Sequence, residues 1–361
     1  MRLLSRSGRR TLAAAGVFVA LFLGSLAFVA TARVAADSLP SKLSDQDFWR
    51  LVNEISESNG FFRSDNLVSN EQTFQYVIPD LVKMAKPGRV YLGVGPEQNF
   101  TYIAALKPSM VFIVDVRRGN LDLQLMYKAL FELSADRADF VGRLFAKKRP
   151  AGLTAKSTVS EIFSAYWNVD TSDDLYTENL AAIQNHLTTK HKFDLSLDDT
   201  RGIEYVYHAF YWFGPRIRYS SSGNYGGPFQ PTYTDLMTAT DAGGENLGYL
   251  ATEERFQFLK ALESRNLIVP VVGNFSGTKA IRAVGQYLRQ KGARVSAFYL
   301  SNVEDYLKMD GLWKDFCLNV ATLPLDDAST FIRSVRPPAG SRTYGLLSEL
   351  GGMQSEVKAC R

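Results

Sequence analysis

The apolar and polar positions of the chain fall into successive stretches of different period. Ser44 reads as an N-cap with Asp45 and Asp47 in the first turn, and Phe48, Leu51, Val52 and Ile55 follow at helical spacing. A second helix is expected from Ser69 or Asn70 to about Met84, stopped by Pro87 and Gly88. Next come a short apolar strand over 89–94, a helix over about 99–106, and a strand over 110–114 that ends on Asp115. From Leu121 to about Glu263 the pattern is mainly helical, with aromatic-rich and glycine-rich interruptions. Alternation then resumes, with strands expected over 267–272, 294–300 and 316–321 and helices over 276–291, 303–309 and 326–333. Strand–helix units of this length predict an α/β fold, doubly wound and mostly parallel, with helices on both faces of the sheet. The sheet is split in sequence, so the simplest organisation is one α/β domain over 89–335 with a large, mainly helical insertion at about 121–263. An N-terminal helical segment (37–88) precedes it and a C-terminal tail (336–361) follows.

The first 36 residues depart from this pattern. Four arginines precede the uncharged run "TLAAAGVFVALFLGSLAFVATA", 22 residues from Thr11 to Ala32. The run exceeds the roughly 7–15 residues of a signal-peptide core and approaches the ~20 that span a bilayer. It predicts an N-terminal hydrophobic helix acting as a membrane anchor or a cleaved signal peptide, small residues at Ala30 and Ala32 and again at Val34 and Ala36 offering cleavage-like sites. Arginine-rich flanks stay in the cytoplasm, so the body is expected to be anchored or exported, facing the periplasm or cell exterior. Arg9 and Arg10 after Ser7 weakly resemble a twin-arginine leader, although paired arginines are common in such regions.

Composition sharpens the picture in three places. The chain of 361 residues is 46% hydrophobic and 22% charged, which fits a packed body and not a disordered one. The formal charge of +4 comes from the leader, whose five arginines and no acids leave the rest near −1. No basic surface remains to follow phosphates, so no nucleic-acid partner is expected. The two cysteines, Cys317 and Cys360, permit one disulfide, but the apolar run around Cys317 favours a buried free thiol. With no CxxC spacing and three histidines (His186, His191, His208), no metal site is expected.

Candidate chemistry concentrates in "RVYLGVGPEQNFTYIAALKPSMVFIVDVRRGN", residues 89–120. In a doubly wound sheet, ligands sit beyond the carboxyl ends of the strands, near the first strand–turn–helix. Gly93 and Gly95 fall there and would let a ligand approach the backbone, while the following helix N-terminus offers unpaired N–H groups. Asp115, 20 residues after Gly95, is placed to accept from the two hydroxyls of a ribose. The dinucleotide fingerprint GxGxxG is incomplete: the turn reads GxGPEQ, with Gln98 at the third glycine and Glu97 a poor neighbour for a pyrophosphate. A ligand without phosphate, such as S-adenosylmethionine, suits the turn better. A tight β–α turn with Asp115 as a local cap explains the same residues without a ligand.

The strand–GxG–helix–strand–Asp pattern resembles class I S-adenosylmethionine-dependent methyltransferases. The runs "DNLVSNE" (65–71), "GVGPEQNFTYIAALKP" (93–108), "VFIVDVRRGN" (111–120), "KALFELSADRADF" (128–140) and "VVGNFSGTKAIRAVGQYLR" (271–289) resemble an uncharacterised bacterial protein family with a methyltransferase-like fold. The resemblance implies a Rossmann-like, methyltransferase-like sheet, with Gly93 and Gly95 in the cofactor turn, Asp115 on the ribose, and S-adenosylmethionine as the cofactor. It does not supply a reaction. The acid–Pro–Pro–aromatic motif expected after the fourth-type strand is absent, and that position reads "VVGNFSG".

Three other groups are candidates. Asn274, Ser276 and Lys279 in "GNFSGTK" open a helix on the same rim as Gly93, or simply cap it. Glu204 and His208 share a helix face at i, i+4 and could act as a general acid/base pair, amid Tyr205, Tyr207, Tyr211 and Trp212. A satisfied histidine in an aromatic helix is the plainer reading. Asp65, Asn66, Asn70 and Glu71 precede strand one and could fold over the pocket mouth or serve as turn caps. Two functions lead, an S-adenosylmethionine-type methyltransferase or its descendant and a non-catalytic envelope-facing binding module; a third, a nicotinamide oxidoreductase, needs the missing glycine.

Overall fold

The structure is a computed structural model that describes residues 38–220, 230–337 and 345–360. Ser44 opens the first helix as its side chain predicts, its Oγ accepting from the Asp47 N–H at 3.0 Å. That helix, α1 (Asp45–Ile55), buries Phe48, Trp49, Leu51, Val52 and Ile55 along one stripe. A shorter helix, α2 (Ile78–Met84), leads into β1 (Val90–Gly93), α3 (Gln98–Leu106) and β2 (Met110–Asp115). The insertion is helical, as its pattern predicts: α4 (Arg118–Leu133), α5 (Arg137–Leu144), α6 (Val159–Trp167), α7 (Asp173–Asn185), a π-helical turn (His186–Lys190), α8 (Leu197–Phe213), α9 (Tyr233–Thr238) and α10 (Glu253–Ser264). Then follow β3 (Ile268–Val272), α11 (Ala280–Gln290), β4 (Val295–Ser301), α12 (Val303–Met309), α13 (Trp313–Val320), β5 (Thr330–Val335), β6 (Leu347–Gly352) and α14 (Met353–Lys358).

The six strands form one sheet in the order β3-β2-β1-β4-β5-β6. All pairings are parallel except β5 with β6. Every residue of β1, β2 and β3 is buried. Successive side chains on a strand point to opposite faces, so the central strands are covered on both sides, as a doubly wound sheet requires. The insertion attaches through aromatic packing: Phe131 of α4 lies 4.8 Å from Phe140 of α5 and 5.2 Å from Phe100 of α3, centroid to centroid. Sheet and insertion belong to one unit, which begins at Ser38.

The C-terminal third corrects several expectations. Residues 316–321 are not a strand but the end of α13. Trp313, Phe316, Cys317 and Val320 stand at i, i+3, i+4 and i+7, a helical stripe that a short apolar run conceals. Residues 326–333 are not a helix, because β5 begins at Thr330. Its strand character is masked by Arg333, a buried cation paired with Glu304 at 2.8 Å and with Glu356 at 2.5 Å. The segment after 335 is no mere tail, since β6 and α14 complete the sheet edge. Nor is Cys317 a free thiol: it is bonded to Cys360, with Cα atoms 6.1 Å apart, well within the usual reach of a disulfide. The hydrophobic run over 11–32 lies outside the described residues. Among the described residues no helix is long and apolar enough to cross a membrane.

Candidate functional site

Crossovers run from β1 through β2 to β3 on one side and from β4 to β5 on the other, so the winding reverses between β1 and β4. Beyond the carboxyl ends of strands, that reversal leaves a crevice. A cavity of about 260 Å³ lies there. Its wall includes Gly95 after β1, Asp115 at the end of β2, Asn274 after β3 and Ser301 at the end of β4. Three of the four residues expected to bind a cofactor therefore meet at one site.

Gly93 is the exception. It does not line the cavity, and a Cβ there would collide with Asn99 Oδ1. Asn99 is the clamp of the turn: its Nδ2 donates to the carbonyls of Val94 at 2.9 Å and Pro96 at 2.8 Å, and its Oδ1 accepts from Tyr91 at 2.9 Å. Gly93 thus makes room for protein, not ligand. Gly95 has φ +76°, and a Cβ there would meet nothing within 4 Å. It is glycine for its left-handed backbone, and it leaves the wall open.

The third fingerprint position holds Gln98, buried, whose Nε2 donates to Glu71 at 2.7 Å and to Tyr102 at 3.1 Å and whose Oε1 accepts from Ser69 Oγ. Glu97 is fully buried and does not line the cavity. Burial pushes its carboxyl up to about 8, so it is neutral at pH 7 and does not repel an anion. Its Oε1 accepts from the Ser69 N–H at 3.1 Å. These bonds tie residues 69–71 to the glycine turn, and Asn66, Asn70 and the buried Glu71 line the cavity. Asp65 instead accepts from Tyr205 at 2.9 Å. Glu71 also accepts from Tyr299 at 2.9 Å and from Ser301 Oγ.

Asp115 is not free for a ribose. Arg117 Nε donates to its Oδ1 at 3.0 Å and Nη2 to its Oδ2 at 2.9 Å, while the Arg117 backbone N–H donates to Oδ1 at 2.9 Å. A carboxylate offers about four acceptor sites, so roughly one remains. Arg117 Nη1 also donates to the carbonyls of Ser64 at 3.2 Å and Asp65, strapping the loop before Asn66 over the site. The remaining wall is aromatic. Phe62 meets Tyr306 edge to face at 5.2 Å, Phe61 stands exposed at the mouth, and burial pushes the Tyr219 phenol up to about 12. Asn66 and Ser301, two of the six non-glycine residues at positive φ among the described residues, have φ 47° and 50° and line this cavity. Asn66 Oδ1 is buried without a hydrogen-bond partner.

Other candidates fall outside or are occupied. Asn274 Oδ1 accepts from the Ser276 N–H at 3.0 Å. The helix start beyond it is capped by Glu57, which accepts from the N–H groups of Lys279 at 3.1 Å and Ala280 at 2.8 Å. That N-terminus already holds an anion from its own chain. Glu204 and His208 are exposed on α8 and do not line the cavity, and His208 stacks on Trp212 at 6.0 Å. The segment after the fourth strand is Ser301–Tyr306, "SNVEDY", rather than "VVGNFSG", because β3 sits beyond β2 while β4 adjoins β1. It has no paired prolines but brings Asn302 and Tyr306 to the wall. Arg117, Tyr219 and Tyr306 were not singled out from sequence, although Arg117 lies two residues past the acid it neutralises. Away from the cavity, Glu132, His186 and His191 stand close enough to share an ion.

Set against curated proteins, the chain has no match. Residues 66–348, which include both the glycine turn and the whole parallel part of the sheet, match the family described as Domain of unknown function (DUF7790), and the chain belongs to that family.

Proposed function

We propose that this protein binds a nucleoside-sized small molecule, S-adenosylmethionine or a relative, on a methyltransferase-like scaffold. The observation that carries the reading is the meeting of Gly95, Asp115 and Asn302 around one cavity at the switch point of the sheet. Its volume of about 260 Å³ suits one nucleoside better than a dinucleotide. The aromatic wall offers a stacking face, and the unpartnered Asn66 Oδ1 offers an acceptor to a ligand amino or hydroxyl group. Calorimetry on the full-length chain in detergent is expected to give saturable binding of S-adenosylmethionine or S-adenosylhomocysteine in the micromolar range. Tyr306→Ala should weaken it roughly 10- to 100-fold, the loss of about 1–3 kcal/mol of stacking. No saturable binding up to about 1 mM would overturn the reading.

A second reading is a non-catalytic binding module. The Asp115–Arg117 pair favours it, because the carboxylate expected on a ribose is already engaged. Ligand binding without methyl transfer to any added nucleophile is its expected signature.

We further propose that the body faces an oxidising compartment, anchored or exported through its hydrophobic N-terminus. The Cys317–Cys360 bond supports this, since structural disulfides persist in such compartments. Both thiols should resist alkylation in intact cells until a reductant is added. The bond spans 43 residues, and its reduction should lower the unfolding free energy by about 2–4 kcal/mol. Two thiols alkylated without reductant would overturn this placement.

A further inference from the structure

Two of the three histidines are gathered 54 and 59 residues in sequence from the acid they share. A π-helical turn brings them together: the His191 N–H donates to the His186 carbonyl at 3.1 Å, closing an i→i+5 ring. Such turns are rare and recur at functional sites. Glu132, near the end of α4, places Oε2 at 2.9 Å from His186 Nε2 and at 2.9 Å from His191 Nε2. All three side chains are buried.

The donor atoms of Glu132, His186 and His191 all lie within 4.8 Å of one another. His191 Nδ1 lies 2.7 Å from Asp45 Oδ1, so both of its nitrogens face carboxylate oxygens. With Nδ1–H given to Asp45, the Nε2 lone pair is left to ligate an ion beside Glu132. His186 Nε2 meets the same oxygen and also lies 3.3 Å from Lys190 Nζ, which can only donate. A divalent cation between the three atoms would take up the lone pairs of both imidazoles and of Glu132 in place of protons. Two imidazole nitrogens and one carboxylate oxygen are a zinc-type donor set, and a carboxylate on the far nitrogen of a ligating histidine is the usual outer support. Zinc–ligand distances put donor atoms about 3.3 Å apart, so the cluster needs to open by a few tenths of an ångström.

The two lysines do not forbid this. Lys128 Nζ bonds the other oxygen of Glu132 at 2.8 Å and can stay. Lys190 is 60% exposed and free to swing into water. A divalent ion then takes the place of the Lys190 ammonium beside Glu132. A solvent-open hollow bounded by Asp45, Trp49, Lys190 and His191 reaches the cluster on the His191 side.

We propose that Glu132, His186 and His191 form a site for a divalent transition-metal ion of the zinc class, with Asp45 as a positioning residue. This replaces the expectation of no metal, which rested on spacing in sequence that a π turn and a distant helix circumvent. The test is calorimetric titration of chelator-stripped full-length protein in detergent with Zn²⁺, and visible absorption with Co²⁺. One Zn²⁺ per chain is expected, with tetrahedral-type Co²⁺ bands. His186→Ala should weaken Zn²⁺ binding roughly 100-fold or more, and Asp45→Asn about 10- to 100-fold, while His208→Ala should leave it unchanged. Because truncating a buried histidine can loosen the fold, Lys190→Met at an exposed side chain is the second variant. Removing the competing ammonium should tighten Zn²⁺ binding several-fold. No saturable uptake by the wild type, or uptake that survives His186→Ala or is weakened by Lys190→Met, would overturn the site.

Discussion

Arg117→Ala is expected to lower the unfolding free energy by about 3–5 kcal/mol, read from urea denaturation followed by tryptophan fluorescence. The reason is burial: the two side chains are only 10% and 5% exposed, and each supplies the other's charge. Truncating Arg117 leaves the Asp115 carboxylate at the end of a central strand with one backbone N–H for support. It also removes the donor that holds the carbonyls of Ser64 and Asp65, so the loop over the cavity loses its strap. Asp115→Ala should cost a similar amount by stranding the guanidinium, which makes it a poor probe of ligand binding. The double variant Asp115→Ala/Arg117→Met leaves neither charge unpaired and should recover most of the loss. A single-variant loss within about 1 kcal/mol would show that the pair behaves as a solvated surface bridge.

The same pair marks the boundary of what sequence could reveal. The strand–turn–helix–strand order of 89–115 was legible because local period and glycine position agree, and Gly95 and Asp115 do meet. The roles were less legible. Gly93 belongs to a fingerprint by spacing, yet its cause is Asn99, a residue that reads as ordinary helix. Arg117 was visible beside its acid, but a neighbour in sequence at a strand end gives no sign of whether it folds back. In the C-terminal third the error came from composition. A buried ion-pair network on β5 looks polar, and a half-buried helix carrying a disulfide looks like a strand. Glu132, His186 and His191 were invisible for a different reason, because a π turn follows no period that a pattern search expects.

Stability is also expected to fall as pH rises from about 5 to about 8, by several kcal/mol. Burial pushes Glu97 from 4.5 to about 8, and burial with the neighbouring Asp199 charge pushes Asp122 from 3.8 to about 8. In the folded chain both acids hold their protons over this range, while in the unfolded chain both have lost them. A raised acid contributes fully below its unfolded value, and that contribution disappears as pH climbs through the folded value. Each group can change stability by at most about 1.4 kcal/mol per pH unit across this window. Carboxylates held low act elsewhere: the Arg89 guanidinium lowers Asp326 to about 2, so its contribution is lost only below about pH 4. The urea midpoint should therefore drop between pH 5.5 and pH 8. Glu97→Gln and Asp122→Asn should each flatten the slope, because the amides keep the shape of the neutral acids without ionising. A flat midpoint in the wild type, or an unchanged slope in both variants, would mean that these carboxyls are hydrated in the folded chain. Glu97 Oε2 and Asp122 Oδ1 each lack a hydrogen-bond partner, which a neutral acid tolerates and a buried carboxylate does not. Since Glu97 is bonded to the segment that walls the cavity, the proposed ligand binding should weaken over the same pH range as its ionisation.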